Sequence, residues 1–422
     1  MRFTFAKNTV LLFVLILISC GNTNKAKHQI ASGNKTNTAN LKKHTTENIL
    51  PIVGANQTQL YLPLLKTKRV GIVANQTSVI FKNNTSSLKS NNYTHVVDSL
   101  LALNINVKKV FAPEHGFRGN ADAGEIVKDG IDTKTNLPII SLYGNNKKPK
   151  PEQLANLDVV LFDIQDVGAR FYTYISTLHY VMEACAEAKI PVIIFDRPNP
   201  NGHYIDGPIL ETEHKSFVGM HPIPVVHGLT IAEYAKMING EKWLANGIAC
   251  EIKIIPVKHY THKTPYNLPI KPSPNLPNHM AINLYPSLCF FEGTNVSAGR
   301  GTNHQFQIFG SPFLDKTIFN FQFTPQPNEG AKYPKHQNKI CYGNNLTNTK
   351  KLDNLNLQWL IKAYKNTANN ANFFNNFFTK LAGTKKLQHQ IESGLNDTDI
   401  RASWQEDLRA FKTIRAKYLI YN

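Results

Sequence analysis

The sequence predicts an α/β fold: a Rossmann-like parallel-sheet domain followed by a C-terminal α+β auxiliary domain, with a cleft between them. Three observations carry this. Short, almost uninterrupted apolar runs such as 159–164 (VVLFDI) alternate with helical patterns, as in a parallel sheet covered on both faces. Polar residues gather just past the carboxyl ends of those runs. The alternation then stops at a proline-laden stretch, 256–286, and the second half has another character.

The elements follow in order. Residues 69–74 (RVGIVA) read as a strand ending at Asn75-Gln76-Thr77, and 94–103 has helical spacing through Val97, Leu100 and Leu101. A strand over 107–111 runs into Pro113-Glu114-His115-Gly116-Phe117-Arg118-Gly119, where turn residues crowd in and helix signals are absent. Strands over 137–142 (LPIISL) and 159–164 end at Tyr143-Gly144 and Gln165-Asp166. A helix over 174–188 places Ile175, Leu178, Met182 and Cys185 on one face, and a strand over 191–195 (PVIIF) ends at Asp196-Arg197-Pro198. Right-handed crossovers bring all these carboxyl ends to one sheet edge, where ligands of open α/β sheets gather. No G-x-G-x-x-G follows the first strand and no Walker lysine is present, so no nucleotide or other cofactor is expected.

In the second half, a helix over 229–239 opens on a capping box, Thr230 to Glu233, and stops at Gly240. Residues 249–257 (ACEIKIIPV) read as a strand, and 256–286 as an ordered irregular loop or lid. Helical patterning returns in parts of 357–381, and a second capping box, Ser403 to Glu406, opens a last helix carrying Trp404, Leu408, Phe411 and Arg415. The expected division is 1–20 leader, 21–49 tether, 50–215 Rossmann-like catalytic domain and 216–422 auxiliary domain.

The front end reads as processing signal. Arg2 and Lys7 precede an apolar run over 10–18, too short to span a bilayer, which ends in Leu17-Ile18-Ser19-Cys20. This has the form of a bacterial lipobox, with cleavage before Cys20 and lipidation of its thiol. Residues 21–48, rich in Asn, Lys, Thr and Ser, bury too little apolar surface to fold. The expected address is therefore exported and lipid-anchored at a bacterial membrane, on the periplasmic side of an outer membrane. The formal charge of +18 raises a nucleic-acid partner, but no zinc-finger, RNP-type or basic-helix pattern appears and the lysines are scattered. Beyond Cys20, the four cysteines show no C-x-x-C spacing and read as buried free thiols.

At its motifs the chain resembles the exo-β-N-acetylmuramidases of the NamZ type. The resemblance rests on the 113–119 run, on Asp122 and Gly124-Glu125, and on Phe162-Asp163-Ile164-Gln165-Asp166-Val167-Gly168-Ala169-Arg170-Phe171-Tyr172-Thr173-Tyr174. It continues through Asp196-Arg197-Pro198-Asn199-Pro200-Asn201-Gly202 and Phe291-Glu292-Gly293-Thr294-Asn295-Val296-Ser297-Ala298-Gly299-Arg300-Gly301-Thr302. It implies a hydrolase that removes N-acetylmuramic acid (MurNAc) from the non-reducing ends of peptidoglycan fragments, in a cleft between a Rossmann-like and an auxiliary domain. One departure is Asn303-His304 after Thr302, where the family usually carries Pro-Phe.

Glycoside cleavage commonly uses one carboxylic acid to protonate the leaving oxygen and a second group to manage water or the sugar cation. Glu114 is the candidate acid, and an ion pair with Arg118 is its structural alternative. Glu292, read as lying past a strand end at 289–291, is the candidate partner. Asp166, Asp122 and Glu125 also offer carboxylates, and the sugar's acetamido group can replace a protein nucleophile. Arg170 and Arg300 suit the lactyl carboxylate of MurNAc. His115, Arg118, Tyr172, Asn199 and Asn295 complete the substrate-binding candidates. No H-E-x-x-H or H-x-H groups the histidines, so no metal is expected, and no G-x-S-x-G marks a serine hydrolase. The expected partners are MurNAc-GlcNAc saccharides and, through lipid, a membrane. The alternative is a non-catalytic muropeptide-binding lipoprotein on the same scaffold.

Overall fold

The computed structural model describes residues 50–82, 92–119, 125, 129–368 and 370–422. Asp122, Cys20, the expected leader and the tether lie outside the described residues. The main sheet is built from β1 (Val70–Ala74), β4 (Val107–Ala112), β5 (Gly130–Ile131), β6 (Pro138–Ser141), β7 (Val159–Asp163), β8 (Val192–Phe195) and β9 (Ile252–Ile255), while β2 (Val79–Phe81) and β3 (Tyr93–His95) form a separate hairpin. The sheet order is β5-β6-β4-β1-β7-β8-β9. All pairings are parallel except that of β5 with β6. The chain runs outward from β1 through β4 to β6, then returns to lay β7 on the other side of β1. That reversal is the topological switch point of a doubly wound sheet.

Side chains alternate between two cores. Val70, Ile72, Ala74 and Leu161 face a core shared with Tyr61 and Leu65 of α1 (Thr58–Leu65) and Val97 and Leu100 of α2 (Val96–Ala102). Val73, Val160, Phe162 and Ile194 face the other, with Leu154 of α3 (Pro151–Leu154), Ile175, Leu178 and Met182 of α4 (Tyr174–Glu187) and Tyr234 of α5 (Ile231–Gly240). Burial on both faces explains why these strands read as unbroken apolar runs.

The second half continues with α6 (His279–Leu288), a 3-10 turn (Cys289–Gly293), and an antiparallel sheet of β10 (Ile308–Ser311), β11 (Phe321–Phe323) and β12 (Cys341–Asn345) with β12 in the middle. Helices α7 (Gln358–Lys365), α8 (Phe378–Ala382), α9 (Lys386–Glu392), α10 (Asp397–Ala402) and α11 (Gln405–Ala416) close the chain. Phe290, Phe291, Phe309, Trp404 and Phe411 belong to the same core as Phe162, so Ile49–Asn422 is one compact unit. The sheet takes its edge strand from Ile252–Ile255, so residue 215 falls inside the α/β layer rather than at its border.

Several local expectations are corrected. The 94–103 segment is strand to His95 and helix from Val96. The 256–286 stretch contains α6, with Asn278 as its N-cap. Pro286 lies inside that helix and withholds a donor from Ile282 O, which instead accepts from Asn201 Nδ2 at 3.0 Å. The capping box at Thr230 and Glu233 forms. The one at Ser403 does not: its hydroxyl donates back to Ile400 O at 2.6 Å, because α10 runs almost directly into α11. Cys185, Cys250, Cys289 and Cys341 are buried free thiols.

Candidate active site

Glu114 sits two residues beyond β4, where Pro113 breaks the strand and His115 (φ 70°) and Gly116 (φ 76°) turn the chain through the left-handed region. Histidine pays strain there that glycine avoids, and this reversal aims the glutamate back over the sheet edge. Two hydroxyls hold the carboxylate. Tyr143, just past β6, donates to Oε1 at 3.1 Å, and Thr173, the N-cap of α4, donates to Oε2 at 2.8 Å. Three strand ends around the switch point therefore converge on one half-buried carboxyl group. Desolvation, and then the charge of Glu114, push the Tyr143 phenol above its ordinary range, so it remains a donor at neutral pH.

These groups line a cavity of about 280 Å³, at the lower end of ligand-pocket sizes. His115 and Tyr172 share its wall, and Ser273, Asn275 and Leu276 of the proline-rich segment face them. That segment is tied down: Tyr172 and Tyr174 hydroxyls donate to Pro272 O at 2.8 and 3.3 Å, and Gln76 Nε2 donates to Lys271 O and Pro272 O at 3.1 Å each. Tyr172 thus anchors the roof with its hydroxyl while its ring meets Tyr174 and Tyr285 edge-on.

The auxiliary half contributes Glu292 and Arg300. Glu292 belongs to the 3-10 turn after α6, not to a strand end, because α6 carries the chain directly into that turn. Arg300 Nε donates to Glu292 Oε1 at 3.0 Å, and its guanidinium lies 5.0 Å over the Phe306 ring. Desolvation opposes the charge on Glu292, but Arg300 and Lys335 outweigh it and hold the carboxyl below its ordinary range. Lys335 is fixed by donating to Phe291 O, Thr294 O and Val296 O at 3.0, 2.6 and 3.1 Å. No sequence pattern marked Lys335. Thr173 carries no pattern of its own between Tyr172 and Tyr174.

Other candidates are elsewhere. Arg170 is fully buried, and its guanidinium donates to Pro208 O, Ile223 O, Leu381 O and Ala382 O at 2.7–2.9 Å, leaving no access for a substrate carboxylate. Asp166 is buried and accepts from Gly168 N at 2.7 Å, with desolvation pushing it up to about 7. Asn199 is buried in its turn, bonded to Leu229 O and Asn201 N. Arg118 pairs with Asp132 and Asp98 at 2.7 and 3.3 Å rather than with Glu114, and it does not line the cavity. Asn295 also lies off the cavity lining, and Glu125 pairs with Lys332 at 2.7 Å beside a neighbouring hollow. Asp163 and Arg197 form a buried two-bond ion pair at 2.6 and 2.9 Å. Asp196 accepts from Ala232 N, Thr230 Oγ1 and Tyr421 OH at 3.0, 2.7 and 2.6 Å, latching the C-terminus to α5. The crevice expected at the strand ends is thus half cavity and half buried scaffold.

A doubly wound sheet with a hydroxyl-bonded glutamate in its switch-point crevice, roofed by an auxiliary half, defines a two-part α/β protein with a carboxyl-centred site. The chain belongs to the exo-β-N-acetylmuramidase NamZ family, whose N-terminal model matches residues 70–280 and whose C-terminal model matches 283–421. It is 37% identical to the peptidoglycan β-N-acetylmuramidase NamZ of Bacillus subtilis (strain 168), over 98% of this chain and 100% of that protein. Two crystal structures of DUF1343 family proteins from Bacteroides fragilis NCTC 9343 share the fold. One is 46% identical (TM-score 0.80, 89% of this chain and 99% of that one), and the other is 27% identical (TM-score 0.75, 88% and 99%).

Proposed function

We propose that this chain is an exo-acting glycoside hydrolase that releases MurNAc from the non-reducing ends of peptidoglycan fragments. The observation that carries the reading is Glu114, held by Tyr143 and Thr173 in a cavity sized for a single amino sugar. The family membership and the activity named for the Bacillus relative support it. Glu114 is the proton donor. As the bond from C1 to the leaving oxygen breaks, that oxygen takes the Glu114 proton. Water then supplies the hydroxyl at C1 and a proton that restores the acid. Glu292, kept ionised by Arg300 and Lys335, is the negative charge facing the developing sugar cation. Arg300, on the same cavity wall, receives the lactyl carboxylate.

The test is release of free MurNAc from MurNAc-GlcNAc. Glu114→Gln keeps the shape and loses the acid, so the rate falls by about 10²–10⁴-fold. Equal rates in wild type and variant would remove Glu114 from the mechanism. No release by either, with the disaccharide still bound, would favour a muropeptide binder.

The lipobox at 17–20 and the low-complexity run after it support export and lipid attachment at Cys20. Labelled palmitate is expected in the wild-type protein and absent from Cys20→Ala. Equal label in both would exclude this anchor.

A further inference from the structure

A second and larger hollow, of about 550 Å³, lies against the candidate active cavity. Glu292 and Arg300 line both, so a single ion pair forms part of the wall between them. Ser297, Tyr333, Pro334 and Lys335 line the outer hollow, and Glu114 lines only the inner one.

Tyr333 is 91% exposed, the most exposed large hydrophobic side chain of the described residues. A lone exposed aromatic needs no explanation in general. This one stands on a wall fixed from several directions. Asn275 Nδ2 donates to Gly330 O at 2.6 Å, Gln326 N to Gly301 O at 2.8 Å, and Asn328 Nδ2 to Thr302 O at 3.1 Å. A Cβ on Gly330 would lie 2.7 Å from Pro274, and one on Gly301 would lie 2.6 Å from Pro334. The segment therefore packs tightly between the proline-rich roof and the turn that carries Arg300. A bare ring on a rigid wall, at a hollow that shares Glu292 and Arg300 with a sugar-sized cavity, suits the apolar C–H face of a pyranose. Lys332 on the rim is paired with Glu125 at 2.7 Å.

Resting on the muramidase reading, we propose that the outer hollow is the leaving-group subsite. In it the N-acetylglucosamine-terminated remainder of the glycan stacks on Tyr333 while the terminal MurNAc fills the inner cavity. The inner cavity admits one residue and the outer one, larger and open to solvent, admits a chain. This is the geometry that trims a glycan from its end.

The test compares wild type, Tyr333→Ala and Tyr333→Phe on MurNAc-GlcNAc, on the tetrasaccharide built from two such units, and on methyl β-MurNAc, whose leaving group has no sugar. In Tyr333→Ala, the ratio of kcat/KM for either saccharide to that for the methyl glycoside is expected to fall about 5-fold, the scale of one aromatic contact, and Tyr333→Phe restores it. A second readout needs no turnover. In the Glu114→Gln background, Tyr333→Ala is expected to weaken MurNAc-GlcNAc binding about 5-fold more than it weakens binding of free MurNAc. An unchanged ratio in both measurements overturns the outer subsite. Absence of hydrolysis by wild type together with the expected binding difference overturns the hydrolase reading and leaves the subsite standing.

Discussion

Replacing Arg170 by methionine separates a structural from a substrate-binding role for this residue. The guanidinium bridges distant segments: Nη1 donates to Pro208 O and Ile223 O at 2.8 and 2.7 Å, and Nη2 to Leu381 O and Ala382 O at 2.9 and 2.7 Å. The last two are carbonyls of the final turn of α8, which lack intrahelical partners and face a favourable positive charge. Methionine keeps the packing of the aliphatic stem and strands three carbonyls, because Ile223 O still accepts from Leu210 N at 3.2 Å. At about 1–3 kcal/mol for each stranded acceptor, the gross cost is on the order of 3–9 kcal/mol. Removal of the buried charge offsets part of this, leaving a net loss on the order of 2–5 kcal/mol. Against a typical total stability of about 5–15 kcal/mol, this is a large fraction. Urea unfolding followed through the three tryptophans reads it as a lower midpoint. Arg170→Lys should fall between, since an ammonium has three donors for four acceptors. An unfolding free energy within about 1 kcal/mol of wild type, coupled with a raised KM for MurNAc-GlcNAc, would refute the structural role and return Arg170 to the substrate.

The remaining predictions concern chemistry and pH. Glu114→Gln should abolish most MurNAc release, Cys20→Ala should lose acylation, and Tyr333→Ala should discriminate between sugar and methyl leaving groups. Desolvation pushes Asp196 up to about 7, so between about pH 4 and pH 7 the folded chain holds a proton that the unfolded chain has shed. The stability it contributes is full below about pH 4 and is lost as pH rises through about 7. In Asp196→Asn that decline disappears, and the stability difference, variant minus wild type, should climb by about 1.4 kcal/mol per pH unit between about pH 5 and pH 6. Urea midpoints across that range check it; parallel curves for the two proteins would show that Asp196 does not hold the proton.

Much of the scaffold is legible because its signals are local. Residues 70–74 and 159–162 read as strands since both faces are buried and every position is apolar or small. The capping box at Thr230 and Glu233 lies within four residues and forms as written. The small antiparallel sheet of β10, β11 and β12 has no local signal, because its strands of three to five residues pair across long separations and mix polar with apolar positions. Helix α6 was hidden by Pro286, whose defect is repaired by Asn201 from another part of the chain.

For the site, the sequence by itself determined that Glu114 follows a buried strand into a turn, and that its neighbours in space come from other strand ends. Hydrophobic patterning and the rule of right-handed crossover suffice for that. Only the tertiary structure decided which polar residues face the cavity and which are scaffold. Arg170, Asp166 and Asn199 have the composition of ligands, yet carbonyls from remote segments hold Arg170 and Asn199, and Asp166 is buried against the amide of Gly168. The physical reason is that a buried polar group must find partners, and those partners are set by how the chain packs rather than by its order.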